Sequence, residues 1–579
     1  QEAYSIRVDL LMRQREQQLA LATSGKPEAL EVAARLSLEA LQASDQARAR
    51  TFLESMTEAR AELRKDIPSD LLKREQDLQR RLNLKDEQQM SLFNGSNNTP
   101  EAARRQKAGG IAEELRALNV EYDQLQEQIR HAMPRYAELT KPPVPTGDQI
   151  KQLLDDQTVL LVYSLGDKHS YLWTLTPDSL ESYVLPPRRE IEDKARNAYH
   201  WLTETERLDQ SHIERFLQQV IQADAKYWRE AAVLSQMLIG PVAERIGQKR
   251  LLIVGEGALQ RLSFAALPEP PVRRGDVAAG RRGGGAAGRL ALAQPSPLVA
   301  NHEIVYLPSI SVLAAINKDR KMRQPAPKIL ALYADPIFSR DDTRLPANQT
   351  PLDNSSPNAG GEGTAVSASE GVQQSLRETR LPGAKLELRR LQGTKVEAEY
   401  ISSFVDPNSR LVAMNADANV NSVKAADLTQ YRLLHFATHG LINNENPELS
   451  GLVLSLFDER GQRQNGFLRM YEIYNLKLNA DVVILSSCES AGGKEVGGEG
   501  LMALSRGFFY AGAPRVVASL WTADDRATPL LMREFYHQLI EMHASPAAAL
   551  KAAQVAVQKR PQFRSPYYWA GFVLQGDYK

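Results

Sequence analysis

The sequence predicts an α/β protein in which helices cover both faces of a largely parallel sheet, preceded by an all-α region. Three observations carry this. Residues 1–140 are rich in Ala, Leu, Glu, Gln and Arg and nearly free of glycine before position 95, which is a helical composition. Short apolar runs at 159–164, 250–255, 431–438, 480–487 and 515–521 read as buried strands. Helical stretches at about 190–247, 499–511, 526–542 and 546–558 alternate with those runs, and strand alternating with helix builds a parallel sheet.

Length and composition bound the answer. A chain of 579 residues is too long for one compact domain, and three regions are expected: 1–140, 141–325 and 326–579. Apolar residues at 42% and charged residues at 25% are ordinary for a globular protein. Seventy-one basic residues balance 71 acidic ones, so no net field steers the chain toward nucleic acid or an anionic membrane. No apolar run approaches the roughly 18 residues of a membrane span. The lone cysteine, Cys488, allows no internal disulfide and fits a reducing compartment. The opening Gln1-Glu2-Ala3-Tyr4 does not read as a signal peptide, and a cytoplasmic location is expected.

Along the chain, Ile111, Leu115, Leu118, Tyr122, Leu125 and Ile129 step alternately by four and three residues, one apolar stripe of a long helix. Leu71, Leu78 and Leu82 offer a partner stripe, and the segment 94–100, Asn-Gly-Ser-Asn-Asn-Thr-Pro, reads as the turn between them. A β-hairpin is expected at 159–164 and 170–175 around Gly166-Asp167. The run at 250–255 is a short apolar strand ending in glycine, and strands near 303–307 and 328–334 continue the pattern. Two low-complexity stretches, 270–295 with its arginine-glycine run and 347–375, are expected to be disordered surface insertions. In the last third, three strands at 431–438, 480–487 and 515–521 are followed by helices.

Functional groups in open α/β sheets gather at the carboxyl ends of strands. Two strands here end in reactive side chains: one in His439-Gly440, the other in Cys488, with 488 − 439 = 49 residues between them. Peptide-bond cleavage needs a nucleophile, a proton carrier and donors aimed at the developing oxyanion. A thiol near pKa ~8.5 is the side chain most easily activated. His439 is therefore expected to be the general base, Cys488 the nucleophile, and the backbone N–H groups of Gly440 and Cys488 the oxyanion hole. His435, mid-strand, reads as a core or supporting histidine. The segment 492–500 holds five glycines in nine residues but lacks the Gly-Lys-Ser/Thr of a phosphate loop. It suits a segment that orders on activation. No metal and no cofactor are expected.

The chain strongly resembles the CHAT family of caspase-like cysteine peptidases, relatives of separases that usually sit behind tetratricopeptide repeats. The resemblance rests on HFATHG (435–440), NPELSGLVLS (446–455), VVILSSCESAGG (482–493), GEGLMALSRGFFYAGAPRVVASLW (498–521) and YYWAGFVLQG (567–576). It spans roughly 150–579. Ser487 and Glu489-Ser490 flank the cysteine where members often carry Ala and Asn-Thr. The resemblance implies a caspase-like sandwich with a non-catalytic half at 141–325 and a catalytic half at 326–579, behind TPR-like helices at 1–140. It implies a cysteine endopeptidase acting on a protein substrate, of bacterial origin, in a family that serves antiphage and cell-death systems. Ser519, Trp521, Asp524 and Asp525 are expected to meet substrate, with 516–521 as an exposed edge strand that pairs with an extended peptide. The aspartates would favour a basic residue before the cut, against a plain helix cap. A regulatory protein is expected to dock on the N-terminal helices, and nucleic acid only through the arginine-glycine run. The competing reading is a catalytically idle scaffold that keeps the fold and binds partners.

Overall fold

The computed structural model describes residues 2–24, 26–54, scattered helical positions between 70 and 128, 145–208, 213–271, 295–321, 323–346, 388–441, 450–489 and 500–579. The turn expected at 94–100 lies outside the described residues. So do nearly all of the two low-complexity stretches and the glycine-rich segment up to residue 499. The chain forms two compact units, residues 1–52 with 144–579, and residues 53–143.

The second unit is helical at its described positions. Leu78, Leu118 and Leu125 are buried there, so both expected stripes have an inward side. Arg81 meets Glu121 at 3.7 Å and Arg74 reaches Gln128 at 3.5 Å. Contacts that advance on one helix as they retreat on the other describe an antiparallel pair.

The first unit is built on one mixed sheet of thirteen described strands. In chain order these are β1 Thr158–Ser164, β2 Ser170–Leu175, β3 Leu180–Leu185, β4 Arg250–Val254, β5 Ile304–Tyr306, β6 Lys328–Ala334 and β7 Arg410–Met414. Then come β8 Tyr431–Leu441, β9 Gly451–Val453, β10 Phe467–Arg469, β11 Val482–Glu489, β12 Arg515–Ser519 and β13 Phe572–Gly576. The parallel block β1–β4–β5–β13 meets a second, β12–β11–β8–β6–β7, at an antiparallel seam between β12 and β13. Antiparallel β2–β3 and β9–β10 finish the margins.

Helices cover both faces, which is why the inner strands read as unbroken apolar runs. Phe436 of β8 packs on Phe508 of the Gly500–Ala511 helix, ring centroids 5.9 Å apart, while its neighbour His435 meets Tyr536 of the Thr528–Tyr536 helix from the opposite face at 5.7 Å. The α/β class and the 158–175 hairpin are as the sequence predicts.

Two features differ from expectation. The strand at 515–519 is not an edge: β11 pairs with it on one side and β13 on the other, registering Ser519 with Phe572. The C-terminal motif at 567–576 supplies that covering strand. The first fifty residues also join the α/β body instead of standing with the hairpin. Val8, Met12, Ala40 and Leu41 share its core, and the buried carboxylate of Asp45 accepts the N–H groups of Ile310 and Ser311 at 2.7 and 3.1 Å. Asp45 thus satisfies donors at the start of the Ile310–Lys321 helix.

Candidate active site

β8 and β11 run parallel and in register, and the pairing sets Cys488 beside His439 and Glu489 beside Gly440. Neighbouring strands lie about 4.8 Å apart. The two residues with reactive chemistry therefore occupy adjacent positions at one end of the sheet, although 49 residues separate them in sequence (488 − 439 = 49).

His439 is 7% exposed. Its Nε2 lies 2.7 Å from the carbonyl oxygen of Arg389. A carbonyl only accepts, so Nε2 carries the proton and Nδ1 is the ring's basic nitrogen. The Phe338 ring packs on the imidazole at 4.8 Å. Burial pushes the His439 pKa below the ordinary imidazole value, opposed by the Arg389 hydrogen bond and by the negative charge of Asp525.

Asp525 does two things in this arrangement. Its carboxylate accepts the N–H of Gly393 at 2.9 Å, in the first turn of the Gln392–Ser403 helix, and its charge acts on His439. Its own pKa is raised, chiefly by burial. Asp524 closes the turn that leads into the Thr528–Tyr536 helix: its Oδ1 accepts the N–H groups of Arg526 and Ala527 at 3.0 and 2.9 Å.

Ser519 and Trp521 lie inside the fold. The Ser519 hydroxyl donates to the Trp521 carbonyl at 2.7 Å, and the Trp521 indole donates to the Tyr567 carbonyl at 3.0 Å. Both residues are 2% exposed. Gly571 lies against them, since a Cβ there would stand 2.8 Å from the serine oxygen. Gly440 is not a strand terminus, because β8 runs on to Leu441 and pairs Gly440 with Leu452 of β9. That short strand carried no sequence signal of its own.

Beneath the dyad position lies a polar cluster that sequence reasoning missed, apart from naming His435 as a supporting residue. His435 Nε2 stands 3.0 Å from Glu397 Oε1, and His435 Nδ1 stands 3.0 Å from the Tyr536 hydroxyl. The Ser486 hydroxyl donates to Glu397 Oε2 at 3.0 Å. A signal existed: Glu397 sits on the buried stripe Thr394, Glu397, Ala398, Ile401 of its helix, where a carboxylate needs partners. A cavity of about 480 Å³ opens past the carboxyl ends of β6 and β7, lined by Ile337, Arg344, Leu345, Met414 and Asn415 among others. Ile337 directly precedes the Phe338 that packs on His439. Among the described residues, no group of three or more His, Cys, Asp and Glu side chains could hold a metal ion. None of the described helices is long and apolar enough to cross a membrane.

The first unit is thus a layered α/β fold whose sheet registers a histidine beside a cysteine. The CHAT domain model matches residues 229–577, more than half of the chain, and the chain belongs to the CHAT domain family. Its sheet starts earlier than that match, with β1–β3. Tetratricopeptide repeat protein 28 of Mus musculus is 37% identical over 107 residues, 18% of this chain and 4% of the relative. The Homo sapiens protein of the same name is 36% identical over 115 residues, 20% and 4%. The chain thus spans a small fraction of these relatives. Two crystal structures of the Saccharomyces cerevisiae separase–securin complex are also similar, both at 10% identity. One has a TM-score of 0.43, over 97% of this chain and 43% of the other. The second has a TM-score of 0.41, over 88% and 40%.

Proposed function

We propose that the chain is a cysteine endopeptidase working through His439 and Cys488. The observation that carries the reading is the register of β8 on β11, which sets Cys488 beside a histidine whose Nε2 is already committed to the Arg389 carbonyl. Nδ1 of His439 takes the thiol proton, and the sulfur attacks the substrate carbonyl carbon. Backbone N–H groups of Cys488 and Gly440 receive the oxyanion. The imidazolium then protonates the departing amine, and water activated by the same imidazole releases the acyl group. Substrate is a protein. Of the residues expected around it, Asp525 keeps a place beside the site, where its carboxylate favours a basic side chain before the cut. Ser519, Trp521 and Asp524 serve chiefly to build the walls.

In this reading the protein works in the cytoplasm of a bacterium, and a protein partner docking on the N-terminal helices regulates it, in defence or cell death. A cleavage assay tests the chemistry. Against a positional peptide library, the activated full chain should cut, and Cys488→Ala and His439→Ala should each lose roughly a thousandfold or more in rate. His435→Ala should keep partial activity. Cutting that survives in Cys488→Ala, or no cutting by the full chain with any partner, leaves the idle scaffold as the function.

A further inference from the structure

The Glu397–His435 pair is an unusual thing to bury. Both side chains are 1% exposed or less, and burying polar groups costs more than an apolar pair of the same volume would. Nothing in the proposed chemistry uses either residue. Their position suggests why they are there. The pair joins β8, through His435, to the Gln392–Ser403 helix, through Glu397, while Ser486 ties the same carboxylate to β11 two residues before Cys488. Tyr536 closes the cluster from the Thr528–Tyr536 helix. Four elements meet at one point directly below the dyad position.

The segment leading into that helix holds the dyad. Arg389 presents its carbonyl to His439, Arg390 forms a two-pronged ion pair with Asp335 at the end of β6 (2.9 and 2.7 Å), and Gly393 donates to Asp525. Arg390 and Gly393 fix the outer end of the segment, and Glu397 fixes its inner end. The pair also sets register. A shift of β8 by two residues places Ala437 or Leu433 where His435 stands and leaves buried Glu397 without the imidazole beside it, which is disfavoured.

We propose that Glu397 and His435 are positioning residues of the active site, a buried polar pair that, with Ser486 and Tyr536, locks the Gln392–Ser403 helix onto β8 so that the Arg389 carbonyl holds His439 at its register position beside Cys488. This rests on the dyad reading. The test separates the two, because Cys488 is the chain's one cysteine and its alkylation can be followed without any substrate. The rate of reaction with iodoacetamide is measured against pH for the full chain and for His439→Ala, Glu397→Gln, His435→Gln, Tyr536→Phe and the Glu397→Gln/His435→Gln double variant. Near-ultraviolet circular dichroism reports whether each is folded.

At pH 7 the unaltered chain should react about tenfold or more faster than His439→Ala, because a neighbouring imidazole raises the thiolate fraction. Glu397→Gln and His435→Gln should fall most of the way to the His439→Ala rate while staying folded, since misplacement on the order of 1 Å costs up to ~10²-fold. The double variant, with two amides able to pair, should recover much of the loss. Tyr536→Phe, which removes one hydroxyl, should lie between and decides the matter if the charge variants unfold. Equal pH profiles for the unaltered chain and His439→Ala would refute the dyad and, with it, the positioning role. A clear His439 effect with Glu397→Gln or Tyr536→Phe matching the unaltered chain would refute the positioning role alone.

Discussion

At His439 a single ring carries the proposed chemistry and a pH signature. Burial lowers its pKa, so charging the imidazole costs more in the folded chain than in the unfolded one. Its contribution to stability is therefore full above the ordinary imidazole pKa of ~6.5 and is lost as pH falls through the lowered folded value. His439→Gln keeps an N–H for the Arg389 carbonyl but cannot be charged. In urea unfolding, the unaltered chain should lose more stability between pH 7.5 and 5 than this variant; parallel losses would show that the ring is not buried as described. Asp525 acts on the same ring with the opposite sign. Asp525→Asn removes the charge that opposes the lowering, and the His439 pKa should drop further, read directly from its ring resonances.

Among the elements, helix ends position the site as much as strands do. Asp524 accepts two N–H groups ahead of the Thr528–Tyr536 helix, so Asp524→Ala should cost about 1 kcal/mol of stability. Asp524→Asn should cost little and leave cleavage preference unchanged, whereas Asp525→Asn should weaken a preference for Arg or Lys. Gly393 lies so close that a Cβ there would collide with the Asp525 carbonyl oxygen. Gly393→Ala should therefore displace Asp525 from the helix start and lower activity more than stability; wild-type kinetics in that variant would show that the helix start does not matter. The elements that carry these contacts differ in how plainly the sequence shows them. β1, β4, β8 and β11 are legible because they are buried on both faces and read as apolar runs. β3, Leu-Glu-Ser-Tyr-Val-Leu, is half-exposed at one margin, and β7, β9 and β10 are short and depend on their neighbours for existence. The placement of His439 and Cys488 near the carboxyl ends of their strands was legible. Arg389, Glu397 and Gly393 were not, since their roles come from tertiary contacts with strands and helices remote in sequence.

For the whole molecule, the two halves expected at 141–325 and 326–579 are one sheet, sewn together by its last strand. β13 lies antiparallel to β12 and parallel to β5, and Asp577 just beyond it is fully buried against Arg515 and Arg320. The motif at 567–576 was visible as family resemblance, but its place between the halves was not, because no local pattern names a strand's neighbours. The N-terminal helices are a second case. Their composition shows them to be helical, while only the contacts of Leu41 and Asp45 with the α/β body show that the first of them belong to it. A chain beginning at residue 144 should accordingly unfold at a lower temperature than the full chain, and Asp45→Ala alone should cost about 1–3 kcal/mol by leaving two buried N–H groups unpaired. Equal melting temperatures would make those helices an independent module. The central claim, a working dyad at His439 and Cys488, is tested most directly by covalent capture with a peptide carrying a thiol-directed warhead. The account predicts that the activated full chain is labelled at Cys488 and that His439→Ala, still folded, is not. Labelling of both to the same extent, or of neither, would contradict it.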